Sequence, residues 1–249
     1  MQNKIRKIFS AAALILFAFA LSACSGNANT PENQVNQTNN NALSRTENSE
    51  VSYILPAPNT DGDISVEAAL ANRRSQRDFH DKAITAEQLS QILWSAYGVT
   101  SPRGLRTAPS AGALYPLEIY AVVGNVEGIS PGVYRYIADG HKIVRVADGD
   151  VRSELADAAL GQRMVAEAPA SVFFSAVFER TTERYGERGI KYVYIEVGHS
   201  AQNVYLQAEA LGLGTCAIGA FTDSRVIQVL ELPENEEPLY IMPIGWYYR

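Results

Sequence analysis

"APSAGALYPLEIYAVV", Ala108 to Val123, joins two unlike halves. The second, Leu117 to Val123, is apolar and rich in β-branched side chains, and it reads as a buried strand. The first is nearly stripped: Pro109, Ser110, Ala111, Gly112 and Ala113 precede Leu114, Tyr115 and Pro116. Small residues let a backbone approach something closely. The stretch therefore predicts a core strand entered from a loop that lies against another group. Pro109 to Gly112 offers backbone amides and little bulk, which suits a flat polar ligand. Taken locally, it is equally a tight loop leading into a strand.

Outward from this strand, helices and strands mix. Ser65 can cap a helix running to Arg74. Thr85 with Gln88 fits a capping box for a second helix that stops at Gly98. Gly132–Ile137 and His141–Val146 read as a hairpin around Asp139-Gly140. Val151 to Leu160 looks helical, and "ASVFFSAV", Ala170 to Val177, is a second buried strand. Tyr192 to Leu211 is a long helix, apolar on most sides, which predicts wide coverage by its own domain or by a partner subunit. Thr215–Ile218 reads as a short strand, Asp223 caps a helix to Leu230, and Pro238–Met242 is a last strand. Regular βαβ units are too few for a doubly wound fold, so the expected class is α+β, helices packed around a central sheet.

The start of the chain has a different character. Lys4, Arg6 and Lys7 precede an apolar run from Ile8 to Ala20 and then "LSAC", Leu21 to Cys24. This order is similar to a bacterial lipoprotein signal. It predicts a signal peptide over 1–23, removed so that Cys24 becomes a lipidated first residue on a membrane surface. In a cell with two membranes, Ser25 favours the outer one. The stretch 24–61 is polar and Asn-rich ("NQVNQTNNNA") and reads as a flexible tether, leaving one domain over 62–249. Without Lys4, Arg6 and Lys7 the exported part carries 18 basic against 27 acidic residues, a net −9, and no basic stripe suggests nucleic acid. Cys216 is the one other cysteine, so no disulfide framework is expected. His80, His141 and His199 lack metal-ligand spacing, and no metal site is expected.

Three further stretches carry chemistry. "RRSQRDF", Arg73 to Phe79, sets Arg73, Arg74, Ser75 and Arg77 where a helix ends, and guanidinium forks suit phosphate oxygens. Read alone, such a charge run is more often a solvated turn. In "GLGTCAIGAF", Gly212 to Phe221, the first glycines stop a helix, while Ala217 to Ala220 can present backbone groups to a ring. No G-x-G-x-x-G occurs, which argues against a Rossmann nicotinamide site. His199, Gln202 and Asn203 share one helix face and read first as a structural hydrogen-bond network. No nucleophile elbow, zinc motif or Walker loop is present.

Taken together, "RRSQRDF", "APSAGALYPLEIY", "EVGHSAQNVYLQAEALGLGTCAIG" and "PIGW", in that order from Ser65 to Gly245, resemble the FMN-dependent nitroreductase superfamily. The nearest branch is the SagB-type dehydrogenases, which include azoline oxidases. The resemblance implies a sandwich of helices around a mainly antiparallel sheet, and a homodimer with two FMN molecules at the subunit interface. It makes Arg73, Arg74, Ser75 and Arg77 phosphate and ribityl contacts. It places Pro109, Ser110, Ala111 and Gly112, with Leu114, near the flavin from the other subunit, and Ala217, Ile218 and Gly219 along the isoalloxazine edge. Arg249 would reach the phosphate if the end folds back. Azoline-oxidising members carry a Lys-Tyr pair before the long helix; "ERYGERG" offers Arg184-Tyr185, and arginine is a poor proton acceptor. Tyr185 is then the one candidate acid or substrate-orienting residue. The implied activity is FMN-dependent electron or hydride transfer on a small organic substrate. The alternatives are a peptide azoline oxidase and a lipoprotein that binds a ligand without redox chemistry.

Overall fold

The computed structural model describes residues 51–248; Cys24, the signal peptide, most of the expected tether and Arg249 lie outside the described residues. Two strands fix the architecture, β2 (Leu117–Val123) and β5 (Ala170–Ala176), which pair antiparallel from Leu117↔Ala176 to Val123↔Ala170. Every residue of both is buried. Strand side chains alternate between faces, so both faces of this pair need a cover. Leu117, Ile119, Ala121 and Val123 join one core with Val172 and Phe174. Tyr120, Val122 and Phe173 join a second core on the opposite face.

The rest of the sheet grows from this pair. Added to it are β1 (Ser52–Ile54), β3 (Gly132–Ile137), β4 (Lys142–Asp148), β6 (Gly214–Thr215) and β7 (Glu237–Gly245). The order is β1-β4-β3-β2-β5-β7-β6, and all its pairings are antiparallel. The helices are α1 (Val66–Asn72), α2 (Ala86–Tyr97), α3 (Arg152–Ala158), α4 (Arg163–Glu167), α5 (Glu179–Tyr185), α6 (Arg188–Ala210) and α7 (Asp223–Leu230). Helices α2 and α6 supply the first core with Leu89, Ile92, Leu93, Val193, Val197 and Val204. Helices α3, α4 and α7 supply the second with Leu155, Val165, Val226 and Leu230. The fold is the expected α+β arrangement of helices on both faces of an antiparallel sheet.

Local signals explain several boundaries. Ser65 accepts from the Ala68 amide and starts α1. Thr85 and Gln88 exchange both bonds of the capping box at the start of α2, and Gly98 follows its end. Other expectations need correction. The folded region begins before residue 62: Ser52–Ile54 pairs with β4 and Leu55 is buried, so part of the expected tether is an edge strand. Asp223 does not cap α7. Thr222 takes that position without a side-chain bond, and Asp223 sits in the first turn, where negative charge complements the helix dipole. The strand expected at Thr215–Ile218 is only Gly214–Thr215, and Ile218 rejoins the sheet by an isolated bridge to Ile241.

One buried carboxylate ties the second face together. Glu236 accepts from the Tyr120 hydroxyl at 2.9 and 3.1 Å and from the Ser175 hydroxyl at 2.5 Å. Burial, with Glu236 beside it, pushes the Tyr120 phenol well above its usual range. Phe174, fully buried between the sheet and its helices, should matter far more than the half-buried cap Thr85. We expect Phe174→Ala to destabilise the protein by about 3–5 kcal/mol and Thr85→Ala by about 1 kcal/mol. Urea midpoints at constant slope check both; comparable losses would mean that the β2/β5 pair does not dominate the core.

Candidate functional site

At Arg73 helix α1 gives way to extended backbone, φ −48° and ψ 123°. The chain then runs beside β6: Ser75 bridges Thr215, and the Gln76 amide donates to the Thr215 carbonyl at 2.9 Å. A Cβ on Gly214 would come 2.7 Å from the Gln76 Cβ, so this close approach requires glycine. Extended backbone sends alternate side chains to opposite sides, and the basic run divides accordingly. The Arg73 guanidinium lies 5.2 Å from the centre of the Tyr205 ring, and the Ser75 and Tyr205 hydroxyls are 3.0 Å apart. Arg77 is exposed and lies near enough to the buried Cys216 to oppose the upward shift that burial gives its thiol. Arg74 turns back to the Ala71 and Arg73 carbonyls at 3.1 and 2.8 Å. Among the described residues, none of Arg73, Arg74 and Arg77 forms an ion pair with a carboxylate.

Tyr205 was not singled out by the sequence as a site residue. On an apolar helix it reads as core, yet its hydroxyl also accepts from the Ala217 amide at 2.8 Å. One phenol therefore joins Ser75 to Ala217, two of the expected site stretches. Ile218 is buried, and both its amide and its carbonyl are bonded to Ile241. Its backbone is not available to a ring. Gly219 is exposed.

The stripped loop forms a second group. Residues 111–113 make a single 3-10 turn, with φ of 64° at Gly112. Ala113 and Tyr115 also have positive φ, 55° and 50°, an uncommon conformation for residues with a Cβ. The Ser110 carbonyl accepts from the Ala113 amide and its hydroxyl from the Tyr115 amide, which holds this shape. A Cβ on Gly112 would come 2.8 Å from the Tyr185 hydroxyl oxygen and 3.0 Å from an Arg184 nitrogen. Within this chain, the loop is stripped of side chains where the end of α5 rests on it. Leu114 is half-buried beside the turn.

Between this loop and α6 lies a cavity of about 260 Å3 lined by Pro109, Ser110, Ala111, Tyr192, Glu196 and His199. Glu196 is 3% exposed and accepts a short hydrogen bond from the Tyr97 hydroxyl. Burial raises its carboxyl above the usual range, and hydrogen bonds from Ser110 and Tyr97, with Arg106 and His199 nearby, oppose the rise. His199 is exposed, and Asn203 donates to the Thr107 carbonyl at 3.3 Å. His199, Gln202 and Asn203 thus do not form the expected network. Glu196 is the residue that sequence reasoning missed here, because its partner Tyr97 is remote in the chain.

The two groups are spread along α6. Glu196 and Tyr205 are nine residues apart, about 13 Å along the axis. The sequence expectation of wide coverage meets a helix with exposed apolar residues near its start: Ile190, Tyr194 and Ile195, with Val66 and Leu70 exposed on α1.

Comparison with known proteins gives a consistent result. The family model described as Nitroreductase family matches residues 70–246. A nitroreductase-like protein of Methanocaldococcus jannaschii is 51% identical over 183 residues, 74% of this chain and 91% of the relative. The FMN reductase (NADPH) of Bacillus subtilis is 26% identical over 181 residues, 71% of this chain and 63% of the relative. A nitroreductase-like crystal structure from Ralstonia eutropha superposes with a TM-score of 0.70 at 30% identity, covering 81% of this chain and 92% of the other. The Escherichia coli microcin synthetase McbBCD complex contains a chain with a TM-score of 0.62 at 25% identity, covering 84% of this chain and 82% of the other.

Glu196 yields a pH-dependent prediction. A carboxyl whose folded value is raised binds its proton more tightly in the folded protein, so stability falls as pH rises from the ordinary carboxylate range through the raised value. Glu196→Gln keeps the acceptor for Tyr97 and removes the ionisation. We expect the variant to match or exceed the wild type in stability at pH 7 to 8, with the difference shrinking towards pH 4. Urea midpoints across that range check it. A variant destabilised only at neutral pH would show that the ionised carboxylate is supported by its neighbours instead of penalised.

Proposed function

This chain belongs to the nitroreductase family, and from that premise we propose that it is an FMN-dependent oxidoreductase acting on a small organic substrate, of the SagB-type dehydrogenase branch. The observation that carries the reading is the group around Tyr205, with Arg73 over its ring and Ser75 tied through one phenol to Ala217; Arg77 follows two residues after Ser75, and neither arginine has a carboxylate partner among the described residues. Guanidinium forks and a hydroxyl are the donor set that a phosphate monoester needs. The residues present therefore fit FMN: Arg73, Ser75 and Arg77 would hold its phosphate end, and Ala217 and Gly219 would border its ring. Arg74, turned back on α1, contributes to this only by changing its rotamer. Arg249 is proposed as a further phosphate contact. When bound, the flavin supplies reversible two-electron chemistry, so no side-chain nucleophile is needed.

The chain's own residues shape the surroundings. Ser110 and Gly112 hold a flat loop surface, and the Tyr185 hydroxyl stands beside it, able to orient a substrate or give it a proton. This surface lies well along α6 from the Tyr205 group. A homodimer unites them if each subunit sets Pro109–Gly112 and Leu114 against the flavin of the other. The exposed Ile190, Tyr194, Ile195, Val66 and Leu70 support such a dimer, since covering them removes apolar surface from water.

The peptide azoline oxidase is the second reading. Likeness to the microcin synthetase chain favours it, and the position of Tyr185 on the loop is compatible with it. Arg184 in place of a proton-accepting lysine weighs against it. A binding lipoprotein without redox turnover is distinguished by experiment. We further propose export, lipidation at Cys24 and attachment to the cell envelope, on the strength of the leader and "LSAC".

Two measurements test this reading. Purified protein should show flavin absorption bands that bleach under anaerobic reductant and return when a quinone or nitroaromatic compound is added. Bound flavin that never cycles would leave only the binding-protein reading. Cys24→Ser should block lipid attachment and move the protein out of the membrane fraction. A wild-type protein recovered unmodified in the cytosol would contradict the envelope assignment.

A further inference from the structure

A cavity lined by three arginines lies apart from the Tyr205 group, where two strands separate. The β2/β3 ladder runs from Val123↔Gly132 only as far as Tyr120↔Arg135. Beyond that pair, Leu117–Ile119 stays with β5 while Tyr136 and Ile137 follow β4. The gap opens into a cavity of about 260 Å3 whose walls include Arg106, Arg135, Arg180, Glu118 and Tyr136. Glu118 is the common acceptor of two guanidiniums. Arg180 reaches its Oε1 at 2.6 Å, and Arg135 reaches its Oε2 at 2.8 and 3.0 Å. These two arginines are still 39% and 38% exposed, so each keeps N–H groups open to a further acceptor.

Arg106 is the unusual member. Its guanidinium lies over the Tyr97 and Tyr115 rings at 4.3 and 4.7 Å, and no oxygen of the described residues accepts from it. A guanidinium has five donors in one plane. Three guanidiniums share the cavity with Glu118 and the exposed Asp139, while the buried carboxylates Glu196 and Glu236 act electrostatically on Arg106 and Arg135 from outside it. The planar forks match a carboxylate, and the donors of Arg106 that no protein oxygen accepts point to one as the missing partner.

We propose that this cavity is a binding site for a small organic carboxylate, held by Arg106 with the open edges of Arg135 and Arg180. The site does not depend on the flavin reading. Arg106 packs on Tyr97, whose hydroxyl bonds Glu196 beneath the Ser110 loop, so an occupant would be one side chain removed from that loop's support.

Benzoate, benzamide and inorganic phosphate serve as probes. Each is titrated calorimetrically into the purified full-length protein, with ionic strength held constant by sodium chloride, and with flavin loaded and stripped. Benzoate should bind in both states and benzamide, its uncharged analogue, should not. Arg106→Gln should weaken benzoate by roughly ten- to a hundredfold, the range expected on losing charge-assisted hydrogen bonds. Arg180→Lys, which keeps the charge and loses the fork, should weaken it in the same direction and decides the matter if Arg106→Gln melts early. Equal binding of benzoate and benzamide, binding of phosphate alone, dependence of benzoate on loaded flavin, or unchanged affinity in both folded variants would each overturn the proposal.

Discussion

Burial of β2 and β5 on both faces is the constraint from which the rest of the molecule follows. A strand pair with no polar side to turn towards water must be covered twice. Helices α2 and α6 close one face, and α3, α4 and α7 close the other. The loop that feeds β2 then turns beneath the end of α5, where Gly112 has no room for a Cβ against Tyr185 and Arg184. Its small residues, its positive φ values and its contact with Tyr185 all belong to that passage.

Helix α6 is the element that turns this packing into a candidate site. Its inner residues fill the first core, while its length spreads functional groups over several turns. Glu196 supports the Ser110 loop at one level, and Tyr205 joins Ser75 to Ala217 at another. Bonds from two hydroxyls, Tyr97 and Tyr205, thus connect the helix to stretches far away in sequence. Such hydrogen bonds fix position more than they add stability, because their net contribution is about 1 kcal/mol each. What they fix is the spacing between a basic end and a flat loop.

Much of this was legible in sequence wherever the signal was local and periodic. The apolar, β-branched run of Leu117–Val123, the Thr85 capping box, and the long apolar run of α6 are carried by neighbouring residues. Features that exist only through distant pairing were not legible. Strand β1 is three residues long, and what makes it a strand is its ladder with β4. "RRSQRDF" looks like one basic cluster on paper, but the folded chain sets Arg73 and Ser75 at Tyr205, turns Arg74 back on α1 and leaves Arg77 near Cys216. Tyr205 looks like core because nothing in its own helix shows that Ser75 and the Ala217 amide will meet its hydroxyl. Glu196 resembles a solvated helical carboxylate until Tyr97 folds over it.

The central claim is that the group around Tyr205 is a phosphate clamp for FMN and not a solvated basic turn. It is tested most directly by titrating FMN and riboflavin into flavin-stripped protein, wild type against Arg73→Ala and Arg77→Ala. Riboflavin lacks the phosphate. The account predicts that each substitution weakens FMN by roughly ten- to a hundredfold, the worth of a charge-assisted hydrogen bond, and leaves riboflavin nearly unchanged. Equal FMN affinity in wild type and both folded variants would contradict it.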